Sequence, residues 1–269
     1  MSTLPPQPDP ATSDPPPVAS HTSSTETGTT GPGPIRPALI WAMALGAGLV
    51  AALASWLAGE ATFGTFVPPP EAMVPGPLGA TTPEMLAAKL GALTRNTALL
   101  HGLGGAILGL FLGLGGSLAA GSLRRAPLAT LSGLVLGGVV AAGLAAALTP
   151  VFDRFYDPEA PSMLLPLLIL GGIWTATGAA CGLAFGLGFG GRGFVGRTLL
   201  GGMFGAIIGI VAFEVIYAIA FPLGGSEQII LPTAPSRLLA SLCMALFIAG
   251  GVAWSVQTPR GGAVPPPPC

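Results

Sequence analysis

The chain has 269 residues, of which 51% are hydrophobic and only 8% charged, and its formal net charge is −1. A soluble domain carries about 25% charged residues, so this chain cannot clothe a globular surface and its solvent is largely lipid. The charge balance leaves no basic patch, which excludes nucleic acid as a partner.

Residues 1–35 are rich in Pro, Ser and Thr and carry no apolar periodicity. Such a segment cannot bury enough surface to offset its ordering entropy, so it reads as a disordered cytoplasmic tail. Residues 36–256 then read as an all-α, polytopic membrane domain. Segments of about 20 apolar residues can cross a bilayer as helices, and six are present: 38–58, 98–120, 127–149, 163–188, 198–221 and 237–256. The first is longer than a signal-peptide core and follows a long polar tail, so cleavage is not expected. Residues 257–269 form a Pro-rich cytoplasmic tail that ends at Cys269.

Between the first two spans, residues 59–80 are rich in Pro and Gly and predict irregular structure. At Thr82-Pro83-Glu84 the pattern changes. Thr caps helices well, Pro suits the first helical position and Glu favours the first turn. A helix is therefore predicted from about residue 83, either lying in the interface or running into span two.

Positive charge sets the direction. With both termini in the cytoplasm, the inner side holds Arg36, Arg124, Arg125, Arg192, Arg197 and Arg260, and the outer side Lys89, Arg95, Arg154 and Arg237. The two short inner loops carry two arginines each and no acid. The expected place is a bacterial-type plasma membrane.

Glycines recur four residues apart within the spans. Gly105, Gly109 and Gly113 form one ladder, Gly178, Gly182 and Gly186 a second, and Gly201, Gly205 and Gly209 a third. Small residues at this spacing share one helix face and let backbones approach closely in lipid.

The ladders also suggest a tandem parallel repeat, with units of approximately 98–150 and 171–222. Shifting the chain by 73 residues brings Gly105, Gly109, Gly113 and Arg124 onto Gly178, Gly182, Gly186 and Arg197. After a further one-residue slip, Gly133, Gly137 and Pro150 meet Gly205, Gly209 and Pro222. An Ala-Pro-Ser-x-Leu-Leu run follows in both copies, at 160–165 and 234–239.

Two polar residues in the spans lack a polar counterpart in the other copy. Glu214 lies in span five, seven residues before Phe221, so roughly 10 Å below the outer end. It sits about 140° around the helix from Gly209, away from the third ladder. Intramembrane carboxylates are expensive to insert and mark proton or cation pathways. His101 lies four residues before Gly105, near the same outer level, and a Glu–His pair there could relay a proton.

Chemistry elsewhere is sparse. Asp153, Asp157 and Glu159 form an acidic outer loop without the D-x-D-x-D-G pattern of a calcium site. Thr175 and Thr177 are expected to bond their own helix, Cys181 and Cys243 to act as small packing residues, and the four tryptophans as span-end anchors or packing. No Walker lysine, HExxH or Gly-x-Ser-Gly motif is present. The sequence thus implies no enzyme, cofactor or metal. Its partners are the lipid bilayer and either a second copy or another membrane subunit. A small transporter or channel-like subunit is the function these features suggest best. The alternative is a non-catalytic scaffold or partner subunit that packs through its glycine ladders.

Overall fold

The computed structural model describes residues 37–74, 80–157, 164–190, 192–222 and 228–257. The N-terminal tail, the C-terminal tail beyond residue 257, Glu159 and the first Ala-Pro-Ser run lie outside them. Among the described residues the fold has six α-helices: α1 (Pro37–Thr62), α2 (Pro83–Ala119), α3 (Ala126–Phe155), α4 (Leu164–Phe189), α5 (Arg192–Ala220) and α6 (Ala234–Gln257). Each is long and apolar enough to cross a membrane, the build of a multi-pass membrane protein. Their outer surfaces carry large apolar side chains, among them Leu128, Leu131, Val135 and Val139 on α3 and Phe204, Ile208, Val215 and Ile219 on α5. Water would tolerate no such contiguous apolar surface; lipid requires it.

Successive helices run antiparallel. One face of the bundle carries the short connection 120–125, the end of α4 and the start of α5, together with the start of α1 and the end of α6. The opposite, long-loop face carries the ends of α1, α3 and α5 and the starts of α2, α4 and α6. On the short-turn face, Gly121 adopts φ +64° just past the end of α2, the left-handed turn that glycine closes most readily.

The helix predicted near residue 83 runs straight into span two. Thr82 caps it, its Oγ1 accepting from the backbone N–H of Met85 at 3.2 Å. The resulting 37-residue helix is about 55 Å long at 1.5 Å per residue. A hydrocarbon core is about 30 Å thick, so its first turns stand clear of the core. The loop after α1 is tied to those turns. Asn96 donates from Nδ2 to the Phe66 carbonyl at 2.8 Å and accepts from the Phe66 N–H at 3.0 Å.

Backbones meet where the glycines lie. A methyl carbon at Gly105, Gly109 or Gly113 would collide with the carbonyl oxygens of Gly137, Gly133 and Ala129 on α3. At Gly178 and Gly182 it would collide with those of Gly202 and Thr198 on α5. Gly201 and Gly205 instead face Gly251 and Phe247 on α6. Gly133 and Gly137 therefore pack on the preceding helix, whereas Gly205 and Gly209, their partners in the sequence alignment, pack on the following one. α2 and α4 run parallel and in contact. Phe185 lies against Gly116, and Gly188 against Ser117.

Candidate functional site

Five helices leave a space between them near the long-loop face. On α1, the residues lining it are Ala52, Ser55, Trp56, Gly59 and Glu60; on α6 they are Arg237, Ala240, Ser241, Met244 and Ala245. Both sets follow the i, i+3, i+4, i+7, i+8 spacing of a single helix face. α2 contributes Leu100, His101, Gly104 and Leu108, α4 adds Leu170 and Trp174, and α5 adds Ile210 and Phe213. The cavity measures about 90 Å³. Pockets for drug-sized ligands run from about 300 Å³ upward, so this space suits water, a proton carrier or a small ion.

An ion pair stands in its wall. Arg237 donates from Nε to Glu60 Oε1 at 2.7 Å and from Nη2 to Oε2 at 2.8 Å. The fork-on-fork geometry is the strongest form of carboxylate recognition. The third nitrogen, Nη1, donates to the Leu231 carbonyl at 2.8 Å. Phe63 places its ring 4.0 Å from the guanidinium carbon, a cation–π contact. Trp56 Nε1 donates to the Ala234 carbonyl at 3.2 Å, joining the end of α1 to the start of α6. The side chains are 11% and 28% exposed for Arg237 and Glu60, so the pair belongs to the bundle wall and not to its surface.

His101 is the other polar group of the wall. It is 6% exposed, and its ring meets Trp174 edge-on with centroids 5.3 Å apart. Its Nε2 is buried without a hydrogen-bonding partner in the protein. Buried polar nitrogens are almost always bonded, so an orphan beside a cavity is a place where a water or a ligand atom fits.

A second cavity of about 210 Å³ lies toward the long-loop face. Its lining includes Thr62, Phe63, Asn96, Gln228 and Ile230. It shares Gly59 and Leu100 with the first. A methyl carbon on Gly59 would lie 2.8 Å from Leu100 Cδ1, so these two residues form the partition between the chambers.

Of the two intramembrane candidates from the sequence, His101 lines the cavity and Glu214 does not. Glu214 is half-buried on α5, next to the lining residue Phe213. It couples electrostatically with Tyr217 one turn on. The remaining expectations sort simply. Thr177 bonds its own helix through Ile173 O at 2.7 Å. Cys181 and Cys243 are buried free thiols. Trp56 and Trp174 line the cavity, while Trp254 points outward. Among the described residues, no group of three His, Cys, Asp or Glu side chains could hold a metal.

The sequence placed Arg237 among the outer-side charges and did not disclose its pairing with Glu60. Two stripes of matching spacing, one running to an acid at the C-terminal end of α1 and the other from a base at the N-terminal end of α6, were the available signal. Comparison of the chain with protein-family models, curated proteins and solved structures gave no match.

Proposed function

We propose that the protein is a small transporter or channel-like subunit whose pathway passes through the cavity around His101. One observation carries this reading: His101, whose buried Nε2 has no hydrogen-bonding partner in the protein, lines an internal space whose wall also holds a bidentate Glu60–Arg237 pair. A bundle built only for packing gains nothing from three ionisable groups around a void, since each costs desolvation free energy. Glu214 is a separate candidate, off the cavity wall.

The architecture we propose with this function is N-in and C-in across a plasma membrane. The two helical hairpins, α2–α3 and α4–α5, are read as parallel copies. In that reading, glycine-ladder contacts hold each hairpin together. Parallel repeats place substrate sites near their interface in many transporters, which is analogy at the level of fold. The scaffold alternative is less well supported, because the ladder glycines meet backbone of the same chain and the outward faces carry large apolar side chains instead.

The test is hydration of the cavity. In a background with Cys181, Cys243 and Cys269 replaced by Ala, Ser241→Cys should react with silver ion in native membranes. Protection against later alkylation in SDS scores the reaction. A thiol that stays unprotected until the protein is unfolded would mean a dry, packed interior and would favour the scaffold.

A further inference from the structure

The two chambers and their surroundings are not symmetric across the bundle. Toward the long-loop face, only Gly59 and Leu100 separate the 90 Å³ cavity from the 210 Å³ one. The walls there include Asn96, Gln228, Thr62 and the exposed Phe63 loop. Toward the short-turn face, the space ends on Leu108 and Met244. Beyond them Leu112, Phe185, Ile248 and Val252 are all less than 2% exposed. These belong to one continuous apolar cluster spanning α1, α2, α4, α5 and α6. Gly48 lies so close to α6 that a methyl carbon there would be 2.9 Å from Ala249 Cβ. Nothing in that plug offers water a hydrogen bond, and interiors packed at such density admit none.

We infer that the protein forms a hydrated half-channel that opens on the long-loop face, passes His101 and ends on Leu108 and Met244, closed toward the short-turn face, with Leu100 against Gly59 as its constriction. This rests on the reading of the cavity as a pathway. The species it serves is water and the proton that water carries. The chamber is too small for a drug-sized solute, and the imidazole in its wall, just inside the constriction, can accept a proton and hand it on. The charged groups that face the imidazole across the space are Glu60 from α1 and Arg237 from α6, which neutralise each other. α4 and α5 contribute only Leu170, Trp174, Ile210 and Phe213 to the wall, and Glu214 lies off it. The imidazole is therefore the one wall group left to take up a proton without breaking an ion pair.

Sidedness tests the proposal. In the Cys-free background, His101→Cys and Ser241→Cys are prepared in sealed proteoliposomes of known orientation. Silver ion is added to one side or the other in short pulses. Both cysteines should be protected several-fold faster from the long-loop side. Leu100→Ala should speed that reaction several-fold further, and Leu100→Trp should slow it. Ser241→Cys nearly preserves the native volume, so it reports even if His101→Cys perturbs the fold. Reaction at equal rates from both sides, or rates indifferent to both Leu100 variants, overturns the half-channel while leaving a hydrated cavity. Reaction from neither side overturns both the half-channel and the pathway reading on which it rests.

Discussion

Alanine at Gly109 should destabilise the fold, whereas alanine at Gly143 should not. In a helix, Gly→Ala gains about 0.8–1.0 kcal/mol of propensity. At Gly143, on the lipid-facing side of α3, a methyl carbon meets nothing within 4 Å, so that gain stands. At Gly109 the same carbon falls onto the peptide group of Gly133, whose Cα is only 3.0 Å away. The collision is reciprocal, because a carbon on Gly133 strikes the carbonyl of Gly109. Overpacking a core costs about 1–3 kcal/mol. The blocking atoms here are backbone and cannot rotate aside, which places the cost near the top of that range. Subtracting the propensity gain leaves a net loss of about 1–2 kcal/mol for Gly109→Ala. Titrating the protein from mild detergent into SDS, with circular dichroism as the readout, measures both variants against wild type. If Gly109→Ala and Gly143→Ala move the midpoint in the same direction, the close α2–α3 approach is wrong.

The ion pair predicts coupling. A double-mutant cycle of Glu60→Gln and Arg237→Met should give an interaction of about 1–2 kcal/mol, below the 3–5 kcal/mol lost when a fully buried pair is broken, because Glu60 is 28% exposed. Additive single mutants would show that the pair contributes nothing. Asn96→Ala removes both bonds to Phe66 and should speed hydrogen exchange at the Phe66 amide, with the turns around residue 96 unaffected. Thr82→Ala should cost about 1 kcal/mol at the start of α2, seen as faster exchange at the Met85 amide, and unchanged exchange would mean the cap is not formed in solution. Glu214→Gln should leave silver protection of Ser241→Cys unchanged, since Glu214 is off the cavity wall; a large change would place it on the pathway.

The spans were legible because a bilayer imposes a length and a polarity that few residues can violate. Each predicted segment lies within or nearly within an observed helix, and Thr82-Pro83-Glu84 marked the start of α2 to the residue. What the sequence could not disclose is which helix each glycine faces. Gly201 and Gly202 are adjacent, yet one meets Gly251 on α6 and the other Gly178 on α4. A 100° step separates neighbours on a helix, and only the arrangement of the other helices says what lies in each direction. The same limit hid the site. Glu60 and Arg237 are 177 residues apart, and their pairing depends on α1 and α6 lying side by side. His101 stood out because it is polar in an apolar run, a local property. The void beside it is a property of five helices at once.

The proposed repeat offers a physical reason for that void. If α2–α3 and α4–α5 are copies about an axis along the bundle, then α2 and α4 should run parallel and touch at equivalent positions. His101 and Trp174, 73 residues apart, are such a pair. The same symmetry requires that contact between α3 and α4 be matched by contact between α5 and α2. Among the described residues α3 packs along α4, but α5 and α2 do not approach each other. The register explains the difference. Gly109 and its copy Gly182 face Gly133 and Thr198, whereas the sequence alignment matches Gly133 with Gly205. If the hairpins are copies, α5 is displaced seven residues along α4, about 10 Å toward the long-loop face. Gly201, Gly205 and Gly209 face α6 and not α4. A gap remains beside α2, which α1 and α6 enclose without filling. The cavity, His101 and the Glu60–Arg237 pair all lie around that gap, at a helix contact that the proposed repeat would call for and that α2 and α5 do not make among the described residues.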